Sequence, residues 1–203
     1  MNRREVLQRV AYLMGGAISA PAILGVLNGC SAKSSAGWKP VFLTQEQGAL
    51  VAEIVEMMIP RTDTPGAKDV GVPAFIDTML KDAYTSADHA RYIAGMNELE
   101  AQAQREHQRK FLDLAADERL DLVQRVHDEA TASELELKLP PIELRRPFIL
   151  MTKELALLGF FTSQAGATQV LQYDPIPGAF HGCVPLEQAG NGKTWALETS
   201  SRF

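Results

Sequence analysis

The chain reads as an all-α protein, one compact multi-helix domain of about five helices followed by a long irregular C-terminal arm. Three observations predict this. Apolar residues recur at three- and four-residue spacing in successive windows, which marks one buried face of a helix. Prolines and capping or turn residues separate those windows. After Ser163 the texture changes, because Gly166, Pro175, Pro177, Gly178, Gly182, Pro185, Gly190 and Gly192 leave little room for regular elements. The length of 203 residues, 46% hydrophobic and 22% charged, suits a single globular body. The expected organisation is an export signal over 1–29, a flexible tether over 30–43, a helical domain over 44–172 and the arm over 173–203.

Each helix has its own warrant. Thr44-x-x-Gln47 is a capping box, and Leu50, Val51, Ile54, Val55 and Met58 form one stripe of the helix it opens. Pro60 ends that helix. The polar stretch Arg61–Gly71 carries the turn signal Pro65-Gly66. Pro73 then suits the first turn of a second helix, with Phe75, Ile76, Met79, Leu80 and Ala83 inward. Thr85, Ser86 and Asp88 open a third, which buries Tyr92, Ile93, Met96, Leu99 and Ala103. The segment Gln102–Lys110 is charged and amide-rich and reads as solvated. A fourth helix spans about 116–133, with Leu120, Val123 and Val126 at one-turn spacing, and Leu139-Pro140-Pro141 breaks the chain. The fifth, about 142–161, is apolar nearly all round, which predicts a central helix or one whose second face meets a partner. Pro147 is placed to shift its start to that position. In the arm, Tyr173, Ile176, Phe180, Val184, Leu186, Trp195 and Leu197 need cover from the body or from a partner.

The first thirty residues have the layout of an export signal. Arg3 and Arg4 precede an apolar run from Val10 to Leu27, which ends in Leu27-Asn28-Gly29-Cys30. The run is about as long as a membrane span, but Gly15, Gly16, Pro21, Gly25 and the cysteine after it favour processing. Arg3-Arg4 followed by Val6-Leu7 resembles the twin-arginine export motif, with Asn2 where serine is usual. Leu27-x-Gly29-Cys30 resembles a lipobox, in which Cys30 is acylated and becomes the new N-terminus. The expected location is then the periplasmic side of the envelope, held to the membrane by acyl chains on Cys30. Charge alone would not hold it there, since the processed chain carries about −7.

Chemistry is scarce. The net charge of −5 and pI of 5.4 exclude a basic nucleic-acid footprint. There is no dinucleotide fingerprint, P-loop, C-x-x-C-H or H-E-x-x-H, so no cofactor or metal is expected in this chain. Two cysteines exclude a disulfide scaffold and a cysteine zinc site. His89, His107, His127 and His181 lack a second ligand at helical spacing. A His181–Cys183 dyad is the weakest of the functional readings. Once Cys30 is acylated, Cys183 has no internal partner, and a buried thiol and an intersubunit disulfide both stay open.

Two segments carry a resemblance. One is Ile59-Pro60-Arg61-Thr62-Asp63-Thr64-Pro65-Gly66-Ala67 with Gly71-Val72-Pro73-Ala74-Phe75-Ile76-Asp77. The other is Gly159-Phe160-Phe161-Thr162-Ser163-x-x-Gly166-Ala167-Thr168, continuing through Tyr173-x-Pro175-Ile176-Pro177-Gly178 to Gly182-Cys183. Together, over about 44–186, they resemble the gluconate 2-dehydrogenase subunit 3 family, the small subunits of membrane-associated sugar and polyol dehydrogenases. The resemblance implies an all-helical accessory subunit that is not catalytic on its own. It implies a large partner subunit of the glucose–methanol–choline type that holds FAD and leaves the cell bound to the small subunit. Some such complexes add a cytochrome c subunit. On the same ground the partner interface is expected at Arg61, Asp63, Pro65, Phe160, Phe161, Tyr173, Pro175, Pro177, Gly178 and Cys183. The competing reading is a free-standing envelope lipoprotein that binds a small ligand or another protein. Gluconate, glucose and the 3-position of glucosides all remain open as the site of oxidation.

Overall fold

The computed structural model describes residues 38–137 and 146–173, and beyond them 176, 178, 182–185, 187–188 and 192–194. Arg3, Arg4, Cys30, the Leu139-Pro140-Pro141 break, Pro175, Pro177 and His181 lie outside the described residues. Among the described residues five long α-helices form: α1 Gln45–Met58, α2 Val72–Ala83, α3 Ser86–His107, α4 Ala116–Leu137 and α5 Phe148–Phe161. A 3₁₀ turn at Phe111–Asp113 joins α3 to α4, and a π-helical turn at Gly166–Val170 follows α5. No strand forms among the described residues.

The caps are where the sequence puts them. Thr44 Oγ1 accepts from the Gln47 N–H at 3.2 Å, and Gln47 Oε1 accepts from the Thr44 N–H at 2.9 Å. Thr85 and Asp88 make the same reciprocal pair at the start of α3. Each pair satisfies two donors that the first turn of a helix leaves open. Pro147 caps α5, so that helix starts at Phe148. α3 runs on through Gln102 to His107, where Ala103 is buried and its neighbours face water.

One expectation fails in α4. Leu120 is 46% exposed, and the buried positions are Leu122, Val123 and Ala130, with Val126 partly covered. Leu120 and Val123 are three apart, and the buried stripe passes on the far side of Val123, through Leu122. An apolar spacing of three fits two neighbouring faces of a helix, and only packing chooses between them.

α5 is the hub. It packs against α1, α2, α3 and α4. Phe148, Ile149, Leu150, Met151, Thr152, Leu155, Ala156, Gly159 and Phe160 are all buried along it, which accounts for its nearly all-round apolar character. Its approach to α3 is close because Gly95 has no side chain. A Cβ on Gly95 would stand 2.4 Å from Phe148 Cβ. Beside that contact Tyr92 meets the Phe148 ring edge-on at 4.9 Å, and its hydroxyl lies 2.9 Å from Thr152 Oγ1. Thr152 already donates to the Phe148 carbonyl at 2.8 Å, so Tyr92 is the donor to Thr152. Burial pushes the Tyr92 phenol far up, and it stays protonated. Replacing Tyr92 by Phe is expected to cost about 1 kcal/mol, because the Thr152 hydroxyl keeps its own acceptor and loses only one bond. Thermal melting should fall by about 2–4 °C.

Residues 38–43, assigned above to the tether, lie on this body. Asp77 of α2 is fully buried, and its carboxylate accepts three consecutive backbone N–H groups. Val41 reaches Oδ2 at 2.6 Å, and Phe42 and Leu43 reach Oδ1 at 3.1 and 2.8 Å. Phe42 packs against His89 of α3 with ring centroids 4.4 Å apart and planes tilted by 42°, and Leu43 enters the core. Trp38 and Pro40 cover Gly48 of α1. The segment therefore bridges the first three helices as a strap.

Candidate functional site

The expected interface residues fall on three pieces of structure, the α1–α2 connection, the end of α5 and the segment after it. The α1–α2 connection is a self-contained polar turn. Glu56 of α1 reaches into it and accepts from the backbone N–H of Arg61 at 3.3 Å and of Lys68 at 2.9 Å. Asp69 accepts from the Gly66 N–H at 3.0 Å and lies 3.4 Å from the Arg61 guanidinium. Glu53 pairs with Lys68 and, at 3.0 Å, with Arg119 of α4. The Ala67 N–H closes the turn onto the Ile59 carbonyl. Arg61 and Asp63 are exposed at its surface, and Pro65 is half-buried. This network fixes the shape of the connection by charge-assisted bonds to backbone donors. At its surface it displays the Arg61–Asp63 tip, with Asp69 exposed beside it.

The end of α5 is built by its glycines. A Cβ at Gly159 would stand 2.6 Å from the Phe75 ring, so its absence is what lets α2 lie against α5. Past Phe161 the chain reverses. The Ser163 hydroxyl donates to the Phe160 carbonyl at 2.6 Å and accepts from the Gly166 N–H at 3.0 Å. Gly166 is buried under that carbonyl, and a Cβ there would lie 2.0 Å from the oxygen. Phe160 is 3% exposed and belongs to the core, and Phe161 is half-buried against it, edge-on at 5.3 Å. Of the two expected interface phenylalanines, then, Phe160 is taken up by its own subunit. Leu158, one turn earlier and not singled out in the sequence, is an exposed apolar residue of α5.

From Tyr173 onward the described residues are all exposed. Tyr173 is 57% exposed and Ile176 82%, and Gly178, Gly182, Cys183, Val184 and Pro185 are exposed as well. Cys183 carries an exposed free thiol, which removes the buried-thiol alternative. Each of the three described histidines has a contact within the body: His89 with Phe42 and the Leu80 carbonyl, His107 with Glu118, and His127 with Asp128 and Lys153. Among the described residues no group of three or more His, Cys, Asp or Glu side chains is placed to hold a metal ion, and no helix is long and apolar enough to cross a membrane.

Residues 45–178 match the gluconate 2-dehydrogenase subunit 3 family. The chain belongs to that family. No curated protein and no solved structure matches it. The name of the gluconate 2-dehydrogenase subunit 3 family implies a dehydrogenase partner, so this chain is a subunit of an oxidoreductase. The family match begins with α1 and ends at Gly178, so it spans all five helices and takes in Tyr173 and Ile176. Within it, the two sequence segments quoted above divide cleanly. Ile76, Asp77, Gly159, Phe160, Ser163 and Gly166 each have a use inside the body. Arg61, Asp63 and Tyr173 are displayed. Sequence reasoning quoted Asp77 without giving it a task. The signal for one was its place in a helix interior between core residues Ile76 and Leu80, where a carboxylate has no reason to be unless something there needs an acceptor.

Proposed function

We propose that this chain is the accessory subunit that escorts an FAD-dependent sugar or polyol dehydrogenase subunit of the glucose–methanol–choline type through twin-arginine export, stabilises it, and anchors it to the periplasmic face of the membrane through acylated Cys30. In this reading FAD and the substrate pocket belong to the partner, and any cytochrome c subunit is a third component. One observation carries the reading. The family match continues past the last packed turn to Gly178, over a Tyr173 that the subunit's own core does not cover. A large aromatic side chain left in water at the end of an ordered segment is what a partner's surface recognises.

The test is co-expression of the full chain, tagged at Phe203, with a glucose–methanol–choline-type large-subunit gene from the same source, followed by purification on the tag and an absorbance spectrum. A stoichiometric partner with the absorbance bands of an oxidised flavin is expected. Recovery of the chain alone and colourless would favour the free-standing lipoprotein instead.

A further inference from the structure

Neighbouring helices of a bundle are usually joined by about 2–8 residues. α1 and α2 pack against each other, yet residues 59–71 join them. That connection is longer than the packing needs, and it is held in shape by contacts of its own. Glu56 clamps it from below, with one carboxylate oxygen on the Arg61 N–H and the other on the Lys68 N–H. The Ala67 N–H closes on the Ile59 carbonyl at 2.9 Å, and the Thr62 N–H on the Thr64 carbonyl at 3.0 Å. Gly66 is buried, and a Cβ there would stand 2.8 Å from the Arg61 nitrogen. The base of the connection is therefore packed, and residues 60–63 stand above it as an exposed crest.

Arg61 on that crest differs from the other described arginines. Arg91, Arg105, Arg109, Arg119, Arg125 and Arg146 each have a carboxylate oxygen at 3.0 Å or closer. Arg61 has Asp69 at 3.4 Å, and its side chain is 73% exposed, against 60% or less for the other six. A pair that long and that solvated holds an arginine weakly. Among the described residues no second acceptor takes the remaining N–H donors of its guanidinium. The subunit thus fixes the backbone of this arginine and leaves its charge weakly matched.

We propose that Arg61 docks the dehydrogenase's catalytic subunit by taking a carboxylate on that subunit's surface, and that Glu56 holds the crest in place beforehand. The proposal rests on the accessory-subunit reading and adds to it a contact and its chemistry. The guanidinium is a planar fork that meets a carboxylate with two parallel bonds, so the acceptor is an Asp or Glu side chain. A crest shaped before contact loses less freedom on binding than a loose one. Glu56 is a positioning residue and touches no partner atom. Its effect passes through the fraction of molecules whose crest is already shaped to bind, so it acts on the association rate.

The test measures binding of the full chain to the purified flavin-loaded catalytic subunit, with association and dissociation rates read separately, for wild type, Arg61→Ala, Arg61→Lys and Glu56→Gln. Protected amides in α5 show that the body of each variant is intact. Arg61→Ala is expected to weaken binding about tenfold or more, mostly by faster dissociation. Arg61→Lys keeps the charge without the fork and is expected to weaken it about three- to tenfold. Glu56→Gln keeps one acceptor oxygen for two N–H donors. It is expected to speed amide exchange at Arg61 and Lys68 and to slow association about three- to tenfold with dissociation unchanged. Wild-type affinity in Arg61→Ala would overturn the docking role while leaving the accessory reading standing. Wild-type affinity in Arg61→Lys would overturn the two-bond carboxylate contact. Faster dissociation alone in Glu56→Gln would overturn the clamp, since it would mean that the glutamate touches the partner. No binding by wild type would overturn the docking role and the accessory reading together.

Discussion

Asp77→Ala is expected to lower the stability of the body by about 3–5 kcal/mol and its melting temperature by about 10 °C or more. The carboxylate is the acceptor for three adjacent backbone donors, and the Leu43 N–H is buried with it. A buried donor stripped of its acceptor costs about 1–3 kcal/mol, and a charged acceptor lies at the upper end of that range. The loss has a ceiling, because the strap has the option of lifting off and giving its N–H groups to water. What is then lost is the seating of Leu43 in the core, the Phe42–His89 contact and the cover over Gly48. Amide exchange distinguishes the two outcomes. In wild type the amides of Val41, Phe42 and Leu43 should be protected. In the alanine variant they should exchange freely whether or not α2 and α5 keep their protection. Asp77→Asn keeps one acceptor oxygen but loses the charge, and about half the effect is expected. Melting within about 2 °C of wild type, with those three amides still protected, would show that the strap is held by something other than Asp77.

Gly95→Ala is the second large effect, and here two terms oppose each other. Alanine is the better helix former by about 1 kcal/mol, so at an exposed site in α3 the change would stabilise. At this site the new Cβ stands 2.4 Å from Phe148 Cβ, more than 1 Å inside ordinary carbon contact (about 3.5–4.0 Å). Phe148 cannot turn away, because a Cβ moves only with its backbone. Its ring is also held edge-on to Tyr92, and its carbonyl is held by Thr152. Relief requires the start of α5 to shift, which opens the seam between α3 and α5. Overpacking of this kind costs about 1–3 kcal/mol, and larger values apply where backbone must move, so a net loss of about 2 kcal/mol is expected. Thermal or urea denaturation reads it directly. A stability gain would mean that the two helices part more easily than the packing implies.

How far the sequence could be read depends on the range of the interaction. Capping boxes act across three residues, so the one at Thr44 was legible, and Thr85 and Asp88 were legible as the opening of α3. The start of α5 was legible at Pro147 for the same reason, since a proline's effect on its neighbours is local. The central place of α5 followed from its composition alone. What the sequence concealed is contact between distant segments. Nothing near Asp77 announces that the N–H groups it serves lie 34–36 positions earlier. Nothing near Gly95 announces Phe148. Phe160 and Phe161 read alike as neighbours in a motif, but one turns into the core and the other to its rim. In α4, Leu120 and Leu122 were both available to a helical stripe, and the packing partner made the choice. For the candidate site, the segment bearing Tyr173 was legible as displaced from regular structure. The bonds from Gln172 to Thr194 and from Lys193 to Gln169 were not, because they are backbone to backbone and lysine to carbonyl, and these have no sequence signature.

The position of α5 also sets a timetable. It is the last of these five α-helices to be made, and the other four pack against it. During synthesis, at about 5–20 residues per second, α1 to α4 emerge with no central element to cover their apolar faces. The core closes only after Phe161 has left the ribosome, and a chain stopped before it would hold four helices without the element they share.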